Sequence, residues 1–184
     1  MSKVALDKLK SKFGASVLAV DNFRGDETAV VKGAQIKQVC TFLRDEKALA
    51  FDMLTDATAV DYLLDPAAED YRFEVVYHFY STTLKHRLRV KVRLPEEEPQ
   101  VDSIHELWPV ANWLEREIWD MYGIRFVGHP ELRRILLYEE FEGHPLRKDY
   151  PKDKHQPLAR RPENEIAECM ERRGKISSLL PEEV

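Results

Sequence analysis

The chemistry that the residue types of this chain allow is concentrated late in its sequence. Glu115-Arg116-Glu117-Ile118-Trp119-Asp120 places Glu117 three residues and Arg116 four residues before Asp120, so on a helix these charges are neighbours. Paired carboxylates do acid/base work where they converge on a pocket, and the surrounding sequence offers none. A buried or interfacial ion network is the better reading, because an arginine among Trp113, Trp119 and Tyr122 suits polar anchoring at an interface. His129, His144 and His155 could in principle ligate zinc, but their separations of fifteen and eleven residues match no common ligand spacing. A histidine beside a proline is more simply a rigid turn whose ring hydrogen-bonds locally. Cys40 and Cys169 lie far apart without a CxxC neighbour, so the chain's own thiols cannot build an iron–sulfur cluster or a four-thiolate zinc site. No G-x-G-x-x-G, P-loop, G-x-S-x-G elbow or H-E-x-x-H occurs, and seven glycines leave little room for phosphate cradles.

These residues must be positioned by a chain of 184 residues, enough for one domain or a domain with a long tail. Lys and Arg number 28 against 33 Asp and Glu, a net charge of −5, and charged residues reach 33%. An evenly charged, net acidic chain argues against a generic nucleic-acid binder, and 43% hydrophobic with 10% aromatic residues argues against disorder. No apolar run approaches the roughly 18 residues of a membrane span, and Met1 to Lys12 lacks the hydrophobic block of a signal peptide. The expectation is a soluble protein in a reducing compartment.

Leu6, Leu9 and Phe13 at helical spacing, with Gly14 behind them, predict a helix over Lys3 to Phe13. Ser16–Val20 and Thr28–Lys32 read as strands joined by a turn-rich connection over 21–26. Ile36, Val39, Cys40 and Leu43 share a helical face, and Phe51 to Val60 reads as a strand followed by a loop around Pro66. Alternation from Tyr71 to Tyr80 and again from Leu84 to Leu94 predicts a central hairpin. Its second strand would bring Lys85, Arg87, Arg89, Lys91 and Arg93 to one face. A solvated face that discourages edge pairing is the plainer reading and a surface for an acidic partner the functional one. Phosphate-backbone binding comes third, since no aromatics interleave those cations. Ser103 and Glu106 resemble a capping box, Pro109 forces a kink or restart, and Trp113, Leu114, Ile118, Met121 and Tyr122 carry a helix to a cap at Gly123.

The fold class implied is α+β, a mixed or antiparallel sheet with helices packed on it, followed by a long extended C-terminal tail. Residues 1–127 would form the α+β domain, 128–162 a partner-docking tail and 163–184 a C-terminal segment with a short helix around Ile166, Cys169 and Met170. The tail holds an imperfect repeat: Gly128-His129-Pro130-Glu131-Leu132-Arg133-Arg134 is answered by Gly143-His144-Pro145-Leu146-Arg147-Lys148. Its lack of periodicity predicts that 128–162 is unprotected in the isolated chain and ordered by a partner.

The stretch from Glu115 to Leu136, with Gly143 to Pro151 and Arg87 to Pro95, resembles the C-type subunit of respiratory complex I, the 30-kilodalton subunit family. The resemblance covers about Tyr71 to Pro151 closely. It implies a cofactor-free, non-catalytic subunit of the peripheral arm's quinone-reducing module, with FMN and iron–sulfur clusters carried by partner subunits. It implies docking foremost on the larger D-type subunit of that complex, with the B-type and I-type iron–sulfur subunits and the NADH-oxidising module as further neighbours, at the cytoplasmic face of the bacterial inner membrane. The interface residues implied are Glu115, Arg116, Glu117, Asp120, Tyr122 and Gly123 on the helix, and His129, Pro130, Arg133, Arg134, His144, Pro145, Arg147, Lys148, Asp149 and Tyr150 in the repeats. The alternative is a homologous subunit of a membrane-bound hydrogenase or other-donor quinone oxidoreductase, and a remote one is a stand-alone hydrolase using His129 or His144 with Glu117.

Overall fold

A computed structural model describes residues 3–156 of the chain, and the helix expected around Ile166, Cys169 and Met170 lies outside them. Helix α1, Lys3–Phe13, buries Leu6 and Leu9 of the expected stripe together with Ala5, while Phe13 is only partly buried, edge-on against Phe42. Strands β1, Val17–Phe23, and β2, Asp26–Val31, run further than expected. The turn between them narrows to Arg24 and Gly25, both left-handed at φ 54° and 87°, which suits a two-residue hairpin between right-twisted strands. Helix α2, Ile36–Asp45, buries Ile36, Val39, Cys40 and Leu43. Strand β3 spans Met53–Asp61, β4 Phe73–Ser81 and β5 His86–Leu94. Strand β6, Gln100–Asp102, precedes helix α3, Ala111–Tyr122, and β7, Arg125–Val127, follows it.

The main sheet has the order β1-β2-β5-β4-β3. Its pairs are antiparallel except β2 with β5, which run parallel with Thr28 opposite Arg89 and Val31 opposite Val92, so the sheet is mixed. Short strands β6 and β7 pair in parallel beside α3. Alternate strand residues, among them Ala29, Val31, Val75, Tyr77, Phe79, Leu88, Val90 and Val92, meet the apolar stripes of all three helices in one core. His86 stays on this inner face, its Nε2 2.7 Å from the Leu49 carbonyl and its ring stacked 4.5 Å from Phe51.

Two expectations about charge are corrected. Lys85 is not on β5; it closes the turn over 82–85 at φ 54°, so four cations rather than five share the outward face. Those four are mostly neutralised from within: Lys91 lies 2.6 Å and Arg93 3.7 Å from the buried Glu74 carboxylate, and Arg89 lies 3.7 Å from Asp26. The supposed capping box also fails. Residues 103–110 form turns rather than helix, Glu106 pairs with Lys37 at 2.7 Å, and Pro109 marks a restart, with α3 beginning at Ala111.

After Val127 the chain is irregular, as expected, but it does not lack partners. Residues 3–139 and Gly143–Lys154 belong to one compact unit, whereas Glu140–Glu142 and 155–156 belong to another. In the second unit, Glu142 and Gln156 exchange hydrogen bonds of 2.9 and 3.0 Å.

Candidate functional site

The charged helix and the two His-Pro repeats come together, with α3 as the frame. A helix of this length ends with four backbone carbonyls that lack an intrahelical donor. Here each has one. The Gly123 amide donates to Trp119 O at 2.8 Å, His144 Nδ1 to Asp120 O at 2.9 Å, the Leu146 amide to Met121 O at 3.1 Å and Arg147 Nε to Tyr122 O at 2.5 Å. The second repeat is thus the C-terminal cap of α3. Gly123 makes the cap possible because it is left-handed, φ 74° and ψ 22°, and because a Cβ there would meet the His144 ring and Arg147 guanidinium at 2.6 Å.

The first repeat is held by the side of α3. Arg116, buried, donates from Nε to Arg133 O at 3.1 Å and from Nη2 to Arg134 O at 2.9 Å. One turn later Asp120 accepts the next three amides: Ile135, Leu136 and Leu137 donate to Oδ2 at 3.1, 2.9 and 2.9 Å. Arg134 Nη1 donates to Asp120 Oδ1 at 2.6 Å. The i,i+4 pair therefore satisfies five consecutive residues of irregular backbone, carbonyls first and amides second, which no ladder could do. His129 donates from Nε2 to Asn112 O at 3.1 Å while its Nδ1 accepts the Glu131 amide at 3.1 Å, so both ring nitrogens are engaged. Burial lowers the proton affinity of His129 and of His144, keeping both rings neutral in these roles.

A second anchor gives little signal in the sequence. Arg72, 5% exposed, grips Asp61, which is fully buried, through Nε at 3.2 Å and Nη2 at 3.0 Å. The same guanidinium reaches Glu96 and Asp149 at 2.7 Å each, and Asp61 also accepts the Leu63 and Lys148 amides at 2.9 and 2.8 Å. This pair ties 148–149 to the sheet edge. Its members are eleven residues apart, and Arg72 lies 77 residues from Asp149, so no local pattern marks them; an arginine at the start of an alternating strand is the only hint.

Two buried carboxyls on α3 differ for a physical reason. Burial raises both, but at Asp120 the hydrogen bonds from Leu137, Arg134, Leu136 and Ile135 outweigh it, and the group stays below the usual range. Among the described residues Glu115 has the Ser103 hydroxyl and the Ile104 amide, the latter at 2.8 Å, and no cation, and burial pushes it up to about 7. Ser103 thus serves Glu115 and lies 3.0 Å from His105 Nδ1, not at a helix start. The raised value means that the folded state binds the proton more tightly. Stability from this group is full below the unfolded carboxyl's range and is lost as pH rises through about 7, a loss of roughly 3 kcal/mol. Glu115→Gln is expected to flatten that fall, so its stability exceeds the parent's at pH 8.5 and matches it near pH 5; chemical denaturation at both pH values is the check.

The remaining expected interface residues are at the surface. Glu117, Pro130, Arg133, Lys148 and Asp149 are exposed, and Pro145 and Tyr150 half-buried, with Tyr150 against Gly143. Among the described residues Arg133 pairs with Glu131 alone, at 3.1 Å and with both side chains largely in solvent. Trp113, Leu136 and Leu146 are exposed beside them at 62%, 62% and 49%. Among the described residues no three His, Cys, Asp or Glu form a metal-ligand cluster.

Residues 29–156, most of the chain, match the family model of the respiratory-chain NADH dehydrogenase 30 Kd subunit. The chain belongs to that family. Over 147 residues it is 50% identical to the C-type subunit of NADH-quinone oxidoreductase from Geobacter metallireducens, covering 80% of this chain and 88% of that one. Over 159 residues it is 46% identical to the second C-type subunit of the same enzyme from Rhizobium meliloti, covering 84% and 85%. Among solved structures, the trypsin-resistant fragment of Nqo5 is 32% identical with a TM-score of 0.62, covering 71% of this chain and 98% of the fragment. A chain of the archaeal membrane-bound sulfane sulfur reductase shares the fold with a TM-score of 0.68 at 20% identity, covering 83% and 86%. Like its family, the chain is therefore an α+β subunit, and among the described residues no helix is long and apolar enough to cross a membrane.

Proposed function

We propose that this chain is a structural and assembly subunit of a proton-pumping NADH:quinone oxidoreductase, located in the quinone-reducing module of the peripheral arm. It carries no cofactor; FMN and iron–sulfur clusters reside in other subunits. Its foremost partner is the larger D-type subunit, with the B-type and I-type iron–sulfur subunits and the NADH-oxidising module nearby, at the cytoplasmic face of the inner membrane. The relatives' names support the complex, since curated proteins about half identical to this chain are subunits of NADH-quinone oxidoreductase.

The observation that carries the structural role is the division of labour within the signature region. Asp120, Arg116, Arg134, His129 and His144 are engaged inside the chain, each bonded to backbone. What the same region leaves exposed includes Trp113 and Arg133, types enriched at protein interfaces, with Leu136, Leu146, Glu117 and Lys148 around them. The test is purification of the tagged chain from its native membrane. Recovery with a flavin-bearing NADH-oxidising subunit and iron–sulfur subunits is the expected result. Recovery with a nickel-iron subunit would move the chain to a hydrogenase-type assembly, and recovery alone would contradict the subunit role.

A further inference from the structure

The face of the sheet turned away from the helices holds a cleft of about 940 Å³, lined by Met53, His78, Tyr80, Lys85, Arg87 and Arg89 among others. The register explains its composition. Arg89 sits between Thr28 of β2 and His78 of β4, whose other neighbour is Asp56, and Arg87 sits beside Tyr80, whose other neighbour is Met53. Lys91 and Arg93, further along the same strand, are committed to the buried Glu74. Arg87 and Arg89 are not. Arg89 reaches Asp26 only at 3.7 Å and Thr28 at 3.4 Å, and Arg87 has no carboxylate within 4 Å among the described residues.

We propose that this cleft docks an extended acidic segment of a partner protein. Arg87 and Arg89 project from one strand face about 6.8 Å apart, the same two-residue repeat with which an extended peptide presents alternate side chains. Asp or Glu at every second position would meet both guanidiniums, with Lys85 at the rim adding a third cation. Tyr80 and the half-exposed Met53 supply an apolar floor for the intervening residues. Strands β4 and β5 are interior to the sheet, so their ladder groups are taken and the segment is held by side chains rather than by strand addition. Asp26, Glu27 and Asp56 also line the cleft and repel a uniformly acidic occupant, so a segment that alternates acidic with neutral residues, its carboxylates aligned on Arg87 and Arg89, is the one that fits. This surface is separate from the α3 signature region, and its test does not depend on complex membership.

The purified full-length chain is titrated against a fluorescein-labelled (Ser-Glu)5 peptide at low salt, read by anisotropy, with a ten-nucleotide oligothymidine as competitor. Saturable binding of the peptide is expected, weakened at least tenfold in Lys85→Glu with Arg87→Glu and unaffected by the oligothymidine. Lys10→Glu with Arg125→Glu changes net charge equally on exposed sites elsewhere and should leave binding within twofold. No saturable binding, an equal loss in both variants, or displacement by the oligothymidine would overturn the proposal; the last would favour a phosphate backbone instead. None of these outcomes bears on the subunit reading.

Discussion

Asp120→Ala is expected to destabilise the chain by about 3–5 kcal/mol, the range for removing one partner of a buried ion pair. The carboxylate is fully buried and receives four donors, three of them consecutive amides. Its removal leaves Arg134, 13% exposed, without its closest anion and leaves 135–137 without acceptors. Asp120→Asn keeps an oxygen for the amides but turns an amide group toward Arg134, so a smaller loss is expected. The measurement is urea denaturation of the full-length chain, together with hydrogen exchange over 131–137. Exchange there should accelerate in Asp120→Ala before global unfolding does, because the lost bonds hold this segment and not the sheet. Unchanged exchange would show that the three amides are protected by something else.

Arg72→Met is expected to have a comparable effect by the opposite route. Methionine keeps much of the side chain's apolar stem but leaves the Asp61 carboxylate buried with only the Leu63 and Lys148 amides to answer it. Glu96 and Asp149, at 61% and 50% exposure, can turn to water and contribute little. The expected loss is again about 3–5 kcal/mol. Adding Asp61→Asn should recover a substantial part of it, since no charge then remains buried, and the cycle of single and double variants measures the coupling. Additive losses would mean that the pair does not act as a unit.

Much of this architecture is legible in the sequence because it rests on local periodicity. Leu6 and Leu9, the Ile36 to Leu43 stripe, the Tyr71 to Leu94 alternation and the Gly123 cap each depend on neighbours within a few residues. What stays hidden depends on contacts made across the chain. The parallel pairing of β2 with β5 joins strands some sixty residues apart, and no alternation distinguishes it from an antiparallel partner. Ser103 and Glu106 have the right spacing for a cap, but the buried Glu115 competes for the hydroxyl and Lys37 for the carboxylate. The segment after Val127 is irregular, as its composition predicts, yet it finds partners within the chain that its sequence does not announce. Irregular backbone satisfied by Arg116 and Asp120, and a helix end satisfied by His144 and Arg147, have no period, because each bond joins residues 15 or more positions apart.

The same bonds give the signature a meaning. Charge on α3 and in the repeats builds one surface from two segments that have no secondary structure of their own, and that surface is what a neighbouring subunit would meet. The most direct test compares assembly with turnover in membranes carrying Asp120→Asn or Arg147→Ala, scoring intact complex on native gels and NADH:quinone activity per assembled complex. The account predicts that the amount of intact complex falls while turnover per complex is preserved. Full assembly with slow turnover would contradict it, and would give the signature residues a part in the reaction itself.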